Sequence, residues 1–505
     1  MLDLGTSFIA SVERTPRALA IVDGDLRLTY AEWYPRISAV VAGLQRLGLQ
    51  RGDHLLTVLQ NRWQAATLHW ACQFAGIIIT PLNWRAKSDE IDHAIADAEA
   101  KAVVFEAISA EATRAAQAVP RITLDAALHG ETSFDTLLAA APPAQPQAGA
   151  EDWSVMLYTS GTTSRPKGVP RRHRAERAAA IAHVAQNLYG AGECTLGVMP
   201  LYHTMGVRSL LAMAAIGGAF ICQPRFDVAQ ALRLIACEGI TNLYLVPTLY
   251  HDLLHHPAFA GTDVSSVRKL GFAGASMTDG LLRDLTAAFR PDLFVNHYGS
   301  SEIYTFTVDQ NAPLKPGSAG RAGLNQFIRV VALGSTTPAA PNQEGEIVAL
   351  LAGDESFEGY WRRPDADAKS LRDGWYHTGD TGFFDSDGDL FVTGRVDDMI
   401  ITGGENVYSG EVENAVAQHP AVAACAVIGI PNEQWGESVH AVVVCKPGQA
   451  VAAADLIAHC KALIAGYKCP RSVDFVDALP ISGAGKVLKT KLREPFWRGR
   501  ERNVA

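Results

Sequence analysis

Between positions 158 and 169 the chain reads Tyr158-Thr159-Ser160-Gly161-Thr162-Thr163-Ser164-Arg165-Pro166-Lys167-Gly168-Val169. The apolar run Ser154 to Tyr158 has the length of a buried strand. A loop of hydroxyls and glycine after a strand can direct N–H groups and hydroxyls at phosphate oxygens, and Lys167 adds a positive charge. It differs from the P-loop, in which glycine precedes the lysine and Ser or Thr follows it. A flexible linker is the alternative, but a linker needs neither the lysine nor the proline. The pattern predicts a phosphate-binding loop.

Composition limits the classes of protein that fit. The chain has 505 residues, 48% of them hydrophobic, which is enough for several domain-sized units with large cores. A net charge of −9 argues against a general nucleic-acid binder, so a polyanionic ligand must meet local clusters of Lys and Arg. The eight cysteines form no C-x-x-C pair, which indicates free thiols in a reducing, cytoplasmic compartment.

No targeting or membrane segment is expected. Asp3 and Glu13 interrupt the N-terminus, and the longest uncharged apolar stretch, Ser209 to Gln223, is too short to span a bilayer. We therefore expect a soluble cytoplasmic protein without an integral membrane segment.

Strand-length apolar runs alternate with alanine-rich helical patterns, which predicts an α/β fold with largely parallel sheets. A helical segment is expected over Arg171 to Leu188, directly after the phosphate loop. From about Gly320 to Val392, glycine turns separate short strands, as in a small antiparallel β unit. After Arg395 about 110 residues remain, the size of a small α+β domain. Within it we expect strands over Ala424 to Ile430 and His440 to Cys445, and helices over Ser409 to Gln418 and Ala453 to Ala465.

Six further motifs follow in order: Leu28-Thr29-Tyr30-Ala31-Glu32, Tyr298-Gly299-Ser300-Ser301-Glu302, Tyr376-His377-Thr378-Gly379-Asp380, Gly394-Arg395-Val396-Asp397-Asp398, Gly403-Gly404-Glu405-Asn406 and Pro480-Ile481-Ser482-Gly483-Ala484-Gly485-Lys486. With the loop, they resemble the adenylate-forming superfamily of acyl- and aryl-CoA synthetases, luciferases and peptide-synthetase adenylation domains. The resemblance spans nearly the whole chain. It implies a large N-terminal domain over residues 1–396 with the ATP and acyl sites. It also implies a small mobile C-terminal domain over 397–505, with the hinge at Asp397.

The resemblance implies a site for ATP and Mg²⁺. Glu302 is the expected Mg²⁺ ligand, although a glutamate after a glycine turn is ordinarily solvated. Asp380 is the expected ribose clamp, and a simple turn aspartate is an equally good interpretation of that residue alone. The remaining ATP-binding residues implied are Thr159, Ser160, Gly161, Thr162, Thr163, Lys167, Tyr298 against adenine, Ser301 near the α-phosphate, and Arg395.

Two catalytic roles besides that of Glu302 are implied. Lys486 would bridge the acyl carboxylate and the phosphate during adenylation, whereas composition alone favours an ordinary solvated lysine. His203 corresponds to a gate between the ATP and acyl sites, although a lone histidine is more often structural.

CoA is the expected second substrate. The resemblance implies that Gly403 and Gly404 line a narrow pantetheine tunnel, because only glycine allows such close backbone approach. Trp435 resembles an aromatic residue near CoA, with ordinary core packing as the alternative. Expected contacts for the CoA phosphates are Arg85, Lys468 and Arg471.

Among subfamilies, the chain is most similar to aryl-CoA ligases of the halobenzoate type. The corresponding acyl pocket consists of Ala182, Thr204, Met205, Tyr244, Ala275, Tyr304 and Thr305, which suits a compact ring or a short acid. Arg208 follows on the same predicted helix, and helical spacing places it on one face with Leu211 and Ala215, so we expect its charge to be screened from water. It either pairs with a structural carboxylate or extends to the surface, or it reaches the pocket and recognises a second polar group on the acid.

These patterns together predict an ATP-dependent carboxylic acid:CoA ligase that forms AMP and pyrophosphate through an acyl-adenylate. Its partners would be a small carboxylic acid, ATP and CoA, with Mg²⁺ as cofactor and no nucleic acid. Two alternatives stay open: a ligase that loads a carrier protein, and a catalytically silent nucleotide-binding relative. The choice between monomer and homodimer is also open.

Overall fold

The computed structural model describes residues 2–114, 119–128, 130–159, 166–403, 405–481 and 487–498. Its strands are β1 (Leu19–Asp23), β2 (Leu26–Thr29), β3 (His54–Val58), β4 (Ile78–Leu82), β5 (Ala102–Phe105), β6 (Arg121–Thr123), β7 (Thr132–Ser133), β8 (Trp153–Thr159), β9 (Lys167–Arg172), β10 (Cys194–Gly197), β11 (Ala219–Cys222), β12 (Asn242–Leu245), β13 (Lys269–Ala273), β14 (Leu293–Tyr298), β15 (Thr307–Asp309), β16 (Ser318–Ala322), β17 (Ile328–Val331), β18 (Gly345–Leu350), β19 (Leu371–Arg372), β20 (Trp375–Phe384), β21 (Leu390–Arg395), β22 (Ile400–Thr402), β23 (Glu405–Val407), β24 (Val422–Asn432), β25 (Gly436–Cys445) and β26 (Ser472–Phe475).

The α-helices are α1 (Leu4–Arg14), α2 (Tyr30–Arg46), α3 (Trp63–Ala75), α4 (Ser88–Ala98), α5 (His173–Gln186), α6 (Thr204–Ile216), α7 (Val228–Glu238), α8 (Pro247–His255), α9 (Asp279–Phe289), α10 (Pro364–Ser370), α11 (Ser409–Ala417), α12 (Ala453–Leu463) and α13 (Lys489–Trp497). Among the described residues, none of these helices is long and apolar enough to cross a membrane.

The first large sheet has the order β7-β6-β5-β3-β4-β8-β9 and is parallel except for the β8–β9 pair. Every residue of β3 and β5 is buried, as expected for parallel strands covered on both faces. The antiparallel pairing of β8 with β9 brings Thr159 opposite Lys167. The two ends of the predicted phosphate loop therefore meet at one edge of this sheet.

The second large sheet has the order β17-β18-β20-β21-β16-β15-β14-β13-β12-β10-β11-β1-β2. Its segment from β11 to β14 is parallel, and the strands from β14 to β17 pair antiparallel. The antiparallel unit predicted for Gly320 to Val392 is confirmed, and it continues the parallel sheet edge to edge.

The helices α1, α2 and α3 meet in an aromatic core. The ring of Phe8 lies 4.6 Å from that of Trp70 and 5.6 Å from that of Trp33. The early motif Leu28–Glu32 serves this packing: Thr29 and Glu32 form a capping box at the start of α2. Tyr30 donates to the carbonyl of Gly218 at 2.7 Å, just beyond α6.

The helix expected from Arg171 begins two residues later, at His173. Arg171 and Arg172 instead continue β9, opposite Val155 and Trp153 of β8. Strand pairing outweighs the helical pattern of this basic segment, and it directs the Arg171 side chain into the core, where it is fully buried.

The small domain is built on a sheet of order β23-β22-β25-β24, with β26 alongside β25. Helices α11 and α12 cover it over a core that includes Val412, Val427 and Leu456. The helices expected at 409–418 and 453–465 and the strands expected at 424–430 and 440–445 are confirmed, with ends shifted by a few residues. In α13, Arg493 pairs with Asp398 at 2.8 Å, which holds this helix against the expected hinge.

Candidate active site

The site forms at one edge of the second sheet, where parallel strands end. β12, β13 and β14 are neighbours, so Tyr244, the loop after Ala273 and Tyr298 lie at the same edge. Ligands of α/β folds bind outside the carboxyl ends of parallel strands. The segment from the last residue of β14, Tyr298, to Thr305 contributes five of the predicted site residues: Tyr298, Ser301, Glu302, Tyr304 and Thr305.

Glu302 is buried, with 6% of its surface exposed. The Tyr360 hydroxyl donates to its Oε1 at 2.7 Å, and Nζ of Lys167 lies 3.9 Å from the centroid of the Tyr360 ring. Burial lowers the pKa of Lys167, and the nearby Glu302 carboxylate opposes that shift. Lys167 and Glu302 thus share one site, joined by Tyr360.

A buried ion pair contacts the backbone of the segment that contains Glu302. Arg171 pairs with Glu176 and donates to the carbonyl of Glu302 at 3.0 Å. The Tyr304 hydroxyl donates to the other oxygen of Glu176 at 3.1 Å. A Cβ at Gly299 would lie 2.1 Å from the carbonyl oxygen of Tyr304, so the tight turn of this segment requires glycine.

Asp380 is fixed by two partners. The Tyr298 hydroxyl donates to Oδ2 at 2.6 Å, and Nε of Arg395 lies 2.9 Å from Oδ1. Asp380 and Arg395 are opposite each other on β20 and β21, and the Asp380 charge raises the pKa of Arg395. The structure therefore brings Tyr298, Asp380 and Arg395 together. The backbone carbonyl of Ser301 accepts from Arg171 at 3.4 Å.

Three of the residues predicted to contact CoA meet in the small domain. The N–H of Gly403 donates to the carbonyl of Trp435 at 2.8 Å, and the Arg471 guanidinium lies 4.6 Å from the Trp435 ring. Trp435 is 36% exposed, so it is not an ordinary core residue. Lys468 is instead ion-paired with Glu411 at 2.7 Å, and Arg85 is exposed and stacks on Trp84 at 3.9 Å.

The predicted acyl-pocket residues fall into two groups. Ala275 is exposed in the loop after β13. The buried members are Ala182, Thr204, Met205, Tyr244, Tyr304 and Thr305. His203 is half-buried directly before α6, with Nδ1 3.4 Å from the Thr204 hydroxyl.

Arg208 lies on α6 and is 2% exposed, so it does not extend to the surface. Its guanidinium donates to the Thr305 hydroxyl at 2.6 Å, to the Tyr304 carbonyl at 3.2 Å and to the Tyr244 hydroxyl. All three partners were predicted to line the acyl pocket. The buried carboxyl of Glu355 is close enough to Arg208 and Arg171 to feel their charges.

Several predicted residues lie outside the described part of the chain: Ser160, Gly161, Thr162, Thr163, Gly404 and Lys486. The ends of the segment that contains Lys486 are described. Ile481 and Val487 form an isolated antiparallel bridge, and the N–H of Leu488 donates to the carbonyl of Pro480 at 2.8 Å.

Comparison with known proteins identifies the family. Residues 8–361 match the model of the AMP-binding enzyme family, and residues 411–486 match that of the AMP-binding enzyme C-terminal domain. The chain belongs to the AMP-binding enzyme family. The resemblance to adenylate-forming ligases and the α/β fold with a large and a small domain are thereby confirmed.

Relatives of this AMP-binding enzyme align along nearly its whole length. It is 35% identical over 498 residues to a feruloyl-CoA synthase of Amycolatopsis sp, covering 98% of this chain and 99% of the relative. It is 34% identical over 495 residues to a 4-chlorobenzoate–CoA ligase of Arthrobacter sp, covering 96% and 93%. The crystal structure of ATP-bound MatB from Rhodopseudomonas palustris superposes with a TM-score of 0.89 at 30% identity, covering 98% and 99%. The enzyme is an ATP-binding, AMP-forming acid–thiol ligase.

Sequence reasoning missed the residues of this AMP-binding enzyme that act through long-range contacts. Tyr360 and the Arg171–Glu176 pair carry no motif, and only their contacts with Glu302 and Tyr304 reveal them. His183 adjoins the predicted Ala182 on α5, and this proximity was the one available signal for it.

Substitution of Gly403 by valine should impair thioester formation much more than adenylation. Gly403 has φ of 63°, and a Cβ there would lie 2.8 Å from Cε3 of Trp435, so the side chain strains the backbone and displaces the indole. We expect CoA-dependent turnover to fall at least about tenfold while acid-dependent pyrophosphate exchange stays near the wild-type rate. Gly448→Val, at another left-handed glycine with open space around it, is the matched control. An equal loss of both half-reactions would contradict a role of Gly403 in CoA binding.

Proposed function

We propose that this enzyme activates an aromatic, cyclic or short-chain carboxylic acid with ATP and transfers the acyl group to CoA. In the first step a carboxylate oxygen attacks the α-phosphorus of ATP, giving acyl-AMP and pyrophosphate. In the second step the CoA thiolate attacks the acyl carbonyl carbon, and AMP leaves with the electrons of the broken bond.

One observation carries this proposal. Tyr298 contacts Asp380, and Glu302, four residues later, contacts Tyr360 beside Lys167. A single segment therefore joins a carboxylate–arginine pair suited to ribose hydroxyls with a lysine–glutamate pair suited to phosphates and a metal ion. ATP needs both ends held at once, because attack at the α-phosphorus requires a fixed phosphate chain.

Each group has a proposed role. The phosphate oxygens are bound by Lys167, Ser301 and the loop Thr159 to Thr163. The ribose hydroxyls donate hydrogen bonds to Asp380, which Arg395 holds in place. The buried Glu302 carboxylate fits Mg²⁺, which is commonly held by one or two carboxylates together with phosphate oxygens, and the ion would neutralise charge on the phosphates. Lys486 supplies the positive charge at the reacting carboxylate, and His203 separates the ATP and acyl sites.

The small domain is proposed to admit CoA. Gly403, Gly404 and Trp435 would line the pantetheine path, with Arg471 and Arg85 facing phosphates. Lys468 is the weakest of these candidates because Glu411 already neutralises its ammonium group. A boundary at residues 396 and 397, with Asp397 as hinge, accords with the α13 contacts to Asp397 and Asp398.

The acid class is inferred from the residues predicted to line the acyl pocket. Six of its seven predicted residues are buried, two of them tyrosines, which suits a compact ring better than a long chain. The names of two relatives, a feruloyl-CoA synthase and a 4-chlorobenzoate–CoA ligase, both indicate aryl acids.

The test is an assay of a panel of acids with Mg²⁺ and ATP, with and without CoA. We expect AMP and an acyl-CoA thioester to form only when acid, CoA and Mg²⁺ are all present. Pyrophosphate exchange without CoA-dependent AMP release would favour a ligase that loads a carrier protein. Nucleotide binding without any exchange would favour a catalytically silent relative.

A further inference from the structure

A cluster of buried polar side chains surrounds Tyr244, one of the residues predicted to line the acyl pocket. The ring of Tyr244 lies 4.7 Å from that of His183 on α5 and 5.3 Å from that of His297 on β14. The Arg208 guanidinium lies 5.2 Å from the same ring. His183 is fully buried, and His297 and Arg208 are each 2% exposed. We call His183, His297 and Arg208 the polar end of the pocket.

Each of these three side chains has an atom without a hydrogen-bond partner among the described residues. The atoms are Nε2 of His183, Nδ1 of His297 and Nε of Arg208. Buried polar groups are nearly always hydrogen-bonded, since an unpaired one costs about 1–3 kcal/mol. Three such atoms beside predicted acyl-pocket residues indicate that a ligand completes their bonding.

The distance of the polar end from the expected gate at His203 fits the part of the acid that lies furthest from its carboxylate. His203, the expected gate, precedes α6, and Arg208 lies four residues beyond Thr204 on that helix. At 1.5 Å per residue, the Arg208 position is about 6 Å further along the axis, comparable to the span of one aromatic ring. A group at the ring position opposite the carboxylate would therefore reach this end.

The hydrogen-bond network defines what the polar end offers. Asn187 Nδ2 lies 2.9 Å from Nδ1 of His183 and 2.8 Å from the His183 carbonyl, which makes Nδ1 an acceptor and Nε2 a free donor. His297 Nε2 lies 3.2 Å from Oδ1 and 3.1 Å from Nδ2 of Asn187. Because the two hydrogens of Nδ2 are directed at His183, Nε2 of His297 donates to Oδ1, and Nδ1 of His297 is a free acceptor. With the Arg208 N–H, the cluster presents two donors and one acceptor, a set that matches a hydroxyl.

The charges around the polar end favour a ligand group that is itself neutral. Glu176 compensates Arg171, and Glu355 lies near Arg208. Burial raises the pKa of Glu355 to about 7, against the attraction of Arg208 and Arg171, so above that pH the ionised Glu355 carboxylate balances the Arg208 charge. Burial, followed by the Arg208 charge, lowers the pKa values of His183 and His297 well below the usual 6.5, so both rings are neutral. An additional carboxylate would repel the Glu355 carboxylate.

We propose that the polar end binds a neutral hydroxyl group of the substrate, so that the enzyme selects hydroxy-substituted aryl acids. This inference rests on the proposed function, because it requires that the pocket holds the acid. Arg208, His183 and His297 are its specificity-determining residues.

The test compares matched acids in acid-dependent pyrophosphate exchange: benzoate with 4-hydroxybenzoate, cinnamate with 4-hydroxycinnamate, and terephthalate as a dicarboxylate. A site built to bond a substrate hydroxyl discriminates strongly against the analogue that lacks it. We expect the better hydroxy acid to exceed its plain analogue at least about a hundredfold in kcat/KM. In the charge-balanced variant Arg208→Met/Glu355→Gln, this preference should fall at least about tenfold while the plain acid remains a substrate.

A matched control and a second variant keep the test decisive. His69→Phe replaces another buried, neutral histidine, on α3 and outside the polar end, and should leave the preference unchanged. If the double variant does not fold, His183→Phe carries the test, with the same loss of preference expected. Equal use of plain and hydroxy acids by the wild type, preferred use of terephthalate, or a preference that survives the substitutions would overturn the inference. If no acid supports exchange, the proposed function itself is overturned.

Discussion

Replacement of Lys486 by alanine is expected to slow acyl-adenylate formation at least about 10²- to 10³-fold. A positive charge that stabilises only the transition state of one half-reaction affects the rate of that half-reaction and leaves the other largely intact. Acid-dependent pyrophosphate exchange measures the first step. Thioester formation from supplied acyl-adenylate measures the second, and we expect it to stay near the wild-type rate.

The segment that follows Lys486 is held by the small domain. Lys489 donates to the Ser409 hydroxyl at 2.7 Å and pairs with Glu413 at 2.7 Å, so the segment after Lys486 is anchored to α11. If the small domain turns about the proposed hinge at Asp397, Lys486 would approach the reacting carboxylate for one step and withdraw for the next.

The matched control for this prediction is Lys491→Ala, which removes an exposed lysine five residues later. It should leave both half-reactions unchanged. Equal losses of adenylation and thioester formation in Lys486→Ala would contradict a role confined to the first step.

Much of the fold follows from local pattern. The strand before the phosphate loop, the antiparallel unit after Gly320 and the helices of the small domain are confirmed because periodicity and turn residues are local properties. The start of α5 was wrong at Arg171 because pairing with β8 is a long-range effect that the sequence of the segment does not contain.

The candidate site likewise contains residues that local motifs predict and residues that only the assembled fold brings near them. Motifs predicted Glu302, Lys167, Asp380 and Arg395, and the structure brings these residues into two adjoining pairs. The residues that hold or surround them, such as Tyr360 and Glu355, come from other parts of the chain and carry no motif. Their positions depend on how β18, β20 and the loops between them pack on the sheet, which only the assembled fold determines.

Arg208 illustrates the limit of sequence reasoning most clearly. Helical spacing predicted that its charge is screened from water, and its 2% exposure agrees. The spacing did not distinguish a structural carboxylate partner from the acyl pocket, because both Glu355 and Tyr244 are distant in sequence. The observed guanidinium donates to the Tyr244 hydroxyl, and its charge also acts on the Glu355 carboxyl, so the two interpretations are not exclusive.

Glu302→Gln is expected to reduce kcat/KM for MgATP at least about 100-fold, because the amide keeps the shape of the side chain but removes the charge that Mg²⁺ requires. The Tyr360 hydroxyl can still donate to the amide oxygen, as it does to Oε1 at 2.7 Å, so the fold should be retained. Measurement of the rate against Mg²⁺ concentration should show a higher requirement for the ion in the variant, with an unchanged melting temperature.

Two further variants define the cause of that loss. Glu99→Gln neutralises an exposed glutamate that pairs with Arg362 at 2.7 Å, and it should leave the Mg²⁺ dependence unaltered. Tyr360→Phe removes the hydroxyl that donates to Glu302, and this hydrogen bond is worth about 1 kcal/mol, so a loss of about fivefold is expected. If Glu302→Gln kept the wild-type rate and Mg²⁺ requirement, Glu302 would be a structural residue of the turn after Gly299. The metal ligand would then have to come from another carboxylate.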